Sequence, residues 1–367
     1  MPARLFAVLL AGLVAWLLLL VPASSAQTPG FDVQAHAGGR GETTGESLRA
    51  FAKAIETGVS TLELDINITK DGQPVVWHDP VIKADQCADT GPAFAGDQAY
   101  PYVGKLVHEL TLAQVRTLDC GKPASEFPAA EVVWGNKIAV LAEVFALAGP
   151  SGVRYNIETK VEADHPGTSA DPQEFVDVLL AAVRAAGQVD RVEIQSFDWS
   201  VLPLVRQTEP SMPLVALWDE QTWVPGSPWL AGIDATRVGD PMIGAMMAGA
   251  GILSPNYQQV DNAFVDRAHA LGLRVIPWTV DNPDAMRQQI AAGVDGIITN
   301  YPTRLRGVLA AQGIPLPEPR RLAASVPTCS NVLDDVAPDR LRVRGQSIPA
   351  SHHATGDSLR FRGGRGA

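Results

Sequence analysis

The sequence predicts an α/β fold, a (β/α)8 TIM barrel carrying a small inserted subdomain after the second strand region. Three observations lead there. Apolar strand-like runs alternate with amphipathic helical ones from Phe31 onward; the runs number eight; and nearly every one is followed by a capped helix. A doubly wound open sheet is the alternative reading of the same alternation.

The strands fall at Val33 to His36, Leu62 to Thr69, Arg154 to Thr159, Val192 to Phe197, Leu214 to Trp218, Ile252 to Pro255, Arg274 to Val280 and Gly296 to Thr299. Between the first two, "ESLRAFAKAIETG" puts Leu48, Phe51, Ala52 and Ile55 on one helical face and stops at Gly58. "DPQEFVDVLLAAVRAAG" opens with Asp171 as N-cap and Pro172 at the first helical position, and ends at Gly187. "NAFVDRAHALG", "NPDAMRQQIAAG" and "TRLRGVLAAQG" carry the same punctuation. The stretch from Trp218 to Ile252, rich in Gly, Pro, Met and Trp, gives no clear periodicity. Between Asp79 and Val153 there is far more chain than a strand–helix connection needs, so residues 80–150 are read as the inserted subdomain and 31–313 as the barrel domain. Residues 314–367 read as a disordered tail.

Composition narrows the function. The chain has 367 residues, 46% hydrophobic and 19% charged, enough for a sizeable core. A net charge of −11 argues against a general nucleic-acid or anionic-membrane binder. Handling phosphate would then require a bound cation or a local cluster of basic groups. Residues 1–26 have Arg4, an apolar run to Val21 and small residues ending at Ala26, the layout of a secretory signal; an uncleaved anchor is the alternative. Either way the body is expected outside the cytoplasm. In that compartment Cys87 and Cys120 can pair, which leaves Cys329 in the tail.

The chemistry lies on the polar faces of the strands. In "STLELDINITKDGQPVVWHDP", Leu62, Leu64, Ile66 and Ile68 alternate with Glu63, Asp65 and Asn67. The apolar set must face the helices, so the carboxylates point into the barrel, where they cost several kcal/mol unless neutralised, roughly. "RYNIETK" does the same with Asn156, Glu158 and Lys160, and Glu193 and Gln195 share a face in "RVEIQSF". Glu63, Asp65 and Glu158 are hard oxygen ligands suited to a divalent cation, Ca²⁺ or Mg²⁺. Buried ion pairs with Lys160 and arginines are the structural alternative. Lys160 suits a place beside the phosphate charge. His36 and His78 end strand-like runs, where catalytic groups of such barrels sit, and an imidazole can both take and give a proton near neutral pH. His108, His165, His269, His352 and His353 read as surface or packing residues.

These residues resemble a known family. "AHAGGRG", "GESLRAFAKAIETGVSTLELDINITKDGQPVVWHDP", "YNIETK", "IQSFDW", "IPWTVD" and "GVDGIITNYP" are similar, in order, to the motifs of glycerophosphodiester phosphodiesterases, from about Gln34 to Leu309. The resemblance implies metal ligands at Glu63, Asp65 and Glu158, and an acid/base pair at His36 and His78. It places Lys160 at the phosphate and Trp278 at the glycerol end, and Gln195 joins them in the substrate-binding set. It implies a small-molecule glycerophosphodiester as substrate, with a substrate hydroxyl attacking phosphorus and water then opening the cyclic phosphate. Two positions depart from the family: Ala37 stands where it usually has Arg, and Gly45, Glu46 and Ser47 where it has Pro-Glu-Asn. Arg40, after the flexible Gly38–Gly39 pair, can reach in for the missing guanidinium. Two other readings stay open. One is a phospholipase-type activity on intact or lyso lipids, with Trp223, Trp229 and Met246–Met247 as an apolar mouth. The other is a weakened or non-catalytic binding protein, which Ala37 suggests and the intact His36, His78 and carboxylate set opposes.

Overall fold

The computed structural model describes residues 30–322. Residues 1–26, Cys329, His352 and His353 lie outside the described residues. Among the described residues there are nine strands: β1 (Asp32–Ala35), β2 (Thr61–Ile68), β3 (Pro74–Val76), β4 (Arg154–Thr159), β5 (Val192–Ser196), β6 (Leu214–Trp218), β7 (Ile252–Pro255), β8 (Arg274–Val275) and β9 (Gly296–Thr299). Eight run parallel in the order β8-β7-β6-β5-β4-β2-β1-β9, and β3 folds back antiparallel on β2. Asp295 N to Val275 O (2.9 Å), Ile298 N to Pro277 O (3.0 Å) and Val280 N to Ile298 O (3.0 Å) bring the two ends of that order together, which makes the (β/α)8 barrel. Strand β8 is shorter than the sequence suggests because Pro277 has no N–H to continue the ladder.

Local signals explain the helices. Ser47 accepts from Ala50 N to start Leu48–Thr57, and Gly58 ends it in the left-handed region at φ 92°. Asp171 caps Pro172–Ala185 through Glu174 N, and Asn282 caps Pro283–Ala292. The obscure stretch before β7 holds one further unit, the short helices Ala235–Val238 and Pro241–Met247. Trp223 packs on Trp199 and closes over Gly244, where a Cβ would stand 2.7 Å from its ring. Among the described residues no helix is long and apolar enough to cross a membrane.

The inserted segment has its own core of Trp77, Ile82, Tyr102, Val107, Leu110, Val115 and Leu118, pinned by a Cys87–Cys120 disulfide. It ends before the 150 suggested by the sequence, because Leu141–Ala148 is a helix of the outer ring, packed beside Leu48–Thr57. Residues 314–322, which the sequence assigns to a disordered tail, lie against the first helix. There Arg306 Nη1 donates to both Gly58 O and Pro317 O, and Arg320 N to Ile55 O.

The barrel interior is polar at both ends. At the β1 end, buried Asp32 accepts from Arg154 (2.6 Å) and Thr61 (2.8 Å), and Gln34 bridges to Glu193. Burial, then the neighbouring Asp32, push Glu193 up to about 7. A pKa raised on folding gives stability that is complete below the ordinary Glu value and lost as pH rises through about 7. The Glu193→Gln variant should therefore lose less unfolding free energy between pH 5 and pH 8 than the parent, as read by urea denaturation.

Candidate active site

The opposite end of the barrel collects the predicted residues. Alternation on β2 leaves Leu62, Leu64, Ile66 and Ile68 against the helices and turns Glu63, Asp65 and Asn67 inward, all buried. Strand β4 sets Glu158 opposite Asp65 in register. Strand β3 runs back along β2 until Trp77 N meets Asp65 O at 3.0 Å, which delivers His78 beside the carboxylates. His36 follows β1 at a tight turn: Ala37, Gly38 and Gly39 all have positive φ (49°, 76° and 91°). Gly38 is required there, since a Cβ would lie 3.0 Å from Phe51 N.

Glu63 is held at both oxygens. Gln195 Nε2 donates to Oε1 (2.7 Å) and Ala37 N to Oε2 (2.9 Å), with His36 Nε2 4.0 Å from Oε2. Gln195 is 1% exposed and accepts from Asn156 with its own amide oxygen. Its amide is thus committed to Glu63 and Asn156, and in this arrangement Gln195 positions Glu63. Both Asp65 oxygens are buried without a standing hydrogen-bond donor. They face the Lys160 ammonium at 3.8 Å and the buried carboxyl of Glu46. Burial works against the Asp65 charge, but the charges of Lys160 and His78 outweigh it and hold its pKa below the carboxylate range. Burial and the Asp65 charge push both Glu46 and Glu63 well above theirs. Glu158 is tied to Lys160 Nζ at 2.7 Å; burial raises it to about 7 against the pull of Lys160.

The donor set fits a cation. His36, Glu63 and Asp65 bring ligand atoms within 4.8 Å of one another. A dense set of buried carboxylates with unpartnered oxygens is costly unless charge is supplied to it. Glu162, Asp164 and His165 form a second such grouping, but two of the three are exposed.

The histidines differ. His36 Nδ1 meets Asn300 Oδ1 at 2.6 Å, and burial lowers its pKa to about 4, so it is neutral at physiological pH. His78 is 44% exposed, with Nδ1 3.2 Å from Asp79 Oδ1 and Nε2 3.4 Å from Lys160 Nζ. Its backbone N–H donates to Glu46 Oε2 at 3.0 Å. A cavity of about 430 Å³ opens beside Ala37, Glu46 and His78 and is walled by Glu126 and Phe127 of the insertion. Arg40 lines it, its Nη2 3.1 Å from Glu126 Oε2 and its guanidinium 5.1 Å from the Phe127 ring. Trp278 donates to Ser254 O and packs edge-on to Phe197, which also meets Trp229.

Sequence reasoning missed Glu46, Asn300 and Asp281 as site residues. Asn300 and Asp281 lie in the quoted "GVDGIITNYP" and "IPWTVD", yet a polar residue at a strand end usually reads as a turn or cap.

The family model for the glycerophosphoryl diester phosphodiesterase family matches residues 36–304. A glycerophosphodiester phosphodiesterase of Caldanaerobacter subterraneus is 29% identical over 77% of this chain and 98% of its own. A solved Silicibacter pomeroyi structure described under the same family name is 28% identical, with a TM-score of 0.67 over 78% of this chain and 96% of that one. An Oleispira antarctica phosphodiesterase, solved in complex with the product sn-glycerol-3-phosphate, shares the fold at 18% identity and a TM-score of 0.59, over 77% and 97% of the two chains. The matched range takes in His36, His78, Glu46, Glu63, Asp65 and Glu158, and the chain belongs to the glycerophosphoryl diester phosphodiesterase family, enzymes that hydrolyse phosphoric diesters.

Proposed function

We propose that this chain is an exported, divalent-cation-dependent hydrolase of glycerophosphodiesters, releasing glycerol 3-phosphate and an alcohol. The observation that carries the reading is the meeting of His36, Glu63 and Asp65, with Glu158 opposite Asp65 in register and His78 beside Lys160, next to a cavity lined by His78 and Arg40. Ca²⁺ or Mg²⁺, held by Glu63, Asp65 and Glu158, would supply positive charge to the substrate's oxygens. Neutral His36 takes the proton of the attacking glycerol hydroxyl as its oxygen bonds phosphorus. The bond from phosphorus to the alcohol breaks, and His78 gives that oxygen a proton. Water then opens the cyclic phosphate with the two roles exchanged. Lys160, between Glu158 and His78, keeps a positive charge near the phosphate: burial disfavours it, but Glu158 and Asp65 raise its pKa further. Trp278 offers the glycerol carbons an apolar face.

Purified mature protein, mixed with glycerophosphocholine or glycerophosphoethanolamine, should release glycerol 3-phosphate and stop when a chelator is added. Release from lipid vesicles alone would move the activity to a phospholipase type, and binding without release would make the chain a non-catalytic homologue. N-terminal sequencing of the exported form should begin at Gln27, and an intact Met1 would rule out cleavage. Arg40 stands on the cavity wall where Ala37 leaves no guanidinium. Arg40→Ala should lower kcat/KM by roughly 100-fold, and an unchanged value would remove Arg40 from the phosphate site.

A further inference from the structure

We propose that Asp281 and Asn300 form a fixed relay that decides which nitrogen of His36 carries the proton. This rests on the acid/base role given to His36 above. The Asp281 carboxylate can only accept. Its Oδ1 receives Asn300 N (2.9 Å) and Thr299 Oγ1 (3.1 Å), and its Oδ2 receives Asn300 Nδ2 (2.7 Å). With its amide nitrogen committed to Asp281, Asn300 must present its oxygen to His36. That oxygen accepts, so the partner 2.6 Å away, His36 Nδ1, is the donor. Nε2 is left with its lone pair, and Nε2 is the nitrogen that faces the carboxylate centre, 4.0 Å from Glu63 Oε2. A histidine's tautomer is set by the hydrogen bond its other nitrogen makes.

The backbone holds the relay in place. Gly41 N donates to Asn300 O at 3.0 Å, tying the turn after His36 to the end of β9. Gly41 tolerates this approach because it has no Cβ, which would stand 2.9 Å from Asn300 O and 2.7 Å from the Tyr301 ring. From the other side, Arg304 Nη1 donates to Asp281 O at 2.6 Å. Both residues of the relay are therefore anchored by main chain as well as by side chain. They act through His36, as positioning residues.

The test is ¹⁵N NMR on the full chain labelled at histidine, with the His36 signal identified by its loss in His36→Gln. The native protein should show the Nδ1–H tautomer. Asp281→Asn lets the Asn300 amide turn, offers an N–H to Nδ1 and should move the proton to Nε2. In Asp281→Asn and in Asn300→Ala, kcat should fall roughly 100-fold while KM changes less than about threefold. Exchanging the pair, Asn300→Asp with Asp281→Asn, restores an acceptor facing Nδ1 and should recover most of kcat and the native tautomer. That rescue would not follow from a merely structural role. An Nε2–H tautomer in the native protein, or Asn300→Ala with kcat within about threefold of the parent, would overturn the relay. Nε2–H in a protein that hydrolyses glycerophosphodiesters ends the relay alone. Nδ1–H in a protein that hydrolyses none supports the relay and ends the proposed function.

Discussion

Glu63→Gln should lower kcat by roughly 1000-fold or more and remove the thermal stabilisation that a divalent cation gives the parent protein. Both effects come from one place. Glu63 sits between Ala37 N and Gln195 Nε2, each oxygen accepting from one of them, and both contacts need an oxygen. An amide offers a single acceptor, so one buried N–H loses its partner, at a cost of about 1–3 kcal/mol. The substitution also removes a negative charge from the group His36, Glu63 and Asp65. In the parent, cation at about 100 times its Kd should add about 2.7 kcal/mol to unfolding; in the variant, close to nothing. Without cation the two proteins should differ in pH dependence. Burial, and then Asp65, raise the Glu63 pKa on folding, so its stabilising contribution is complete below the ordinary Glu range and lost as pH rises through the raised value. The variant should lack that loss. Differential scanning calorimetry with and without cation at several pH values measures all of this. An unchanged cation shift in Glu63→Gln would remove Glu63 from the ligand set.

His78→Ala should lower kcat by roughly 10²–10⁴-fold yet keep the cation shift intact. The ring is about half in solvent, and its polar contacts are to Asp79 and Lys160, so its removal costs little buried surface. Asp79 keeps Lys83 at 2.7 Å and Gln86 at 3.3 Å. The His78 backbone N–H that Glu46 accepts survives as well. The two variants thus separate charge assembly from proton transfer: one should lose both activity and the cation shift, the other activity alone. A His78→Ala protein that keeps near-parental turnover would leave the second proton without a donor and defeat the proposed roles.

Much of this molecule is readable from its chain. Strict alternation in "LELDINI" separates two faces because successive strand side chains point in opposite directions, and no tertiary knowledge is needed to see that one face is polar. Caps such as Ser47 and Asp171 mark helix starts for equally local reasons. The ring of eight strands, the inward carboxylates and the two strand-end histidines follow from those rules together with the family motifs.

What the tertiary structure decided is which polar groups spend their hydrogen bonds on each other. Gln195 looked available to substrate, but a residue on β5 meets one on β2 across the barrel interior, and its amide is used up on Glu63 and Asn156. Asn300 lies 264 residues from His36 in the sequence, and Asp281 sits a strand away from Asn300; closing the barrel brings all three together. Glu46 became a fourth carboxylate at the site only because the turn after β1 leans over β2. Spacing along the chain can show that a side chain points inward, since pleat and helix period are local. It cannot show which inward groups meet, because that depends on the curvature of the closed sheet.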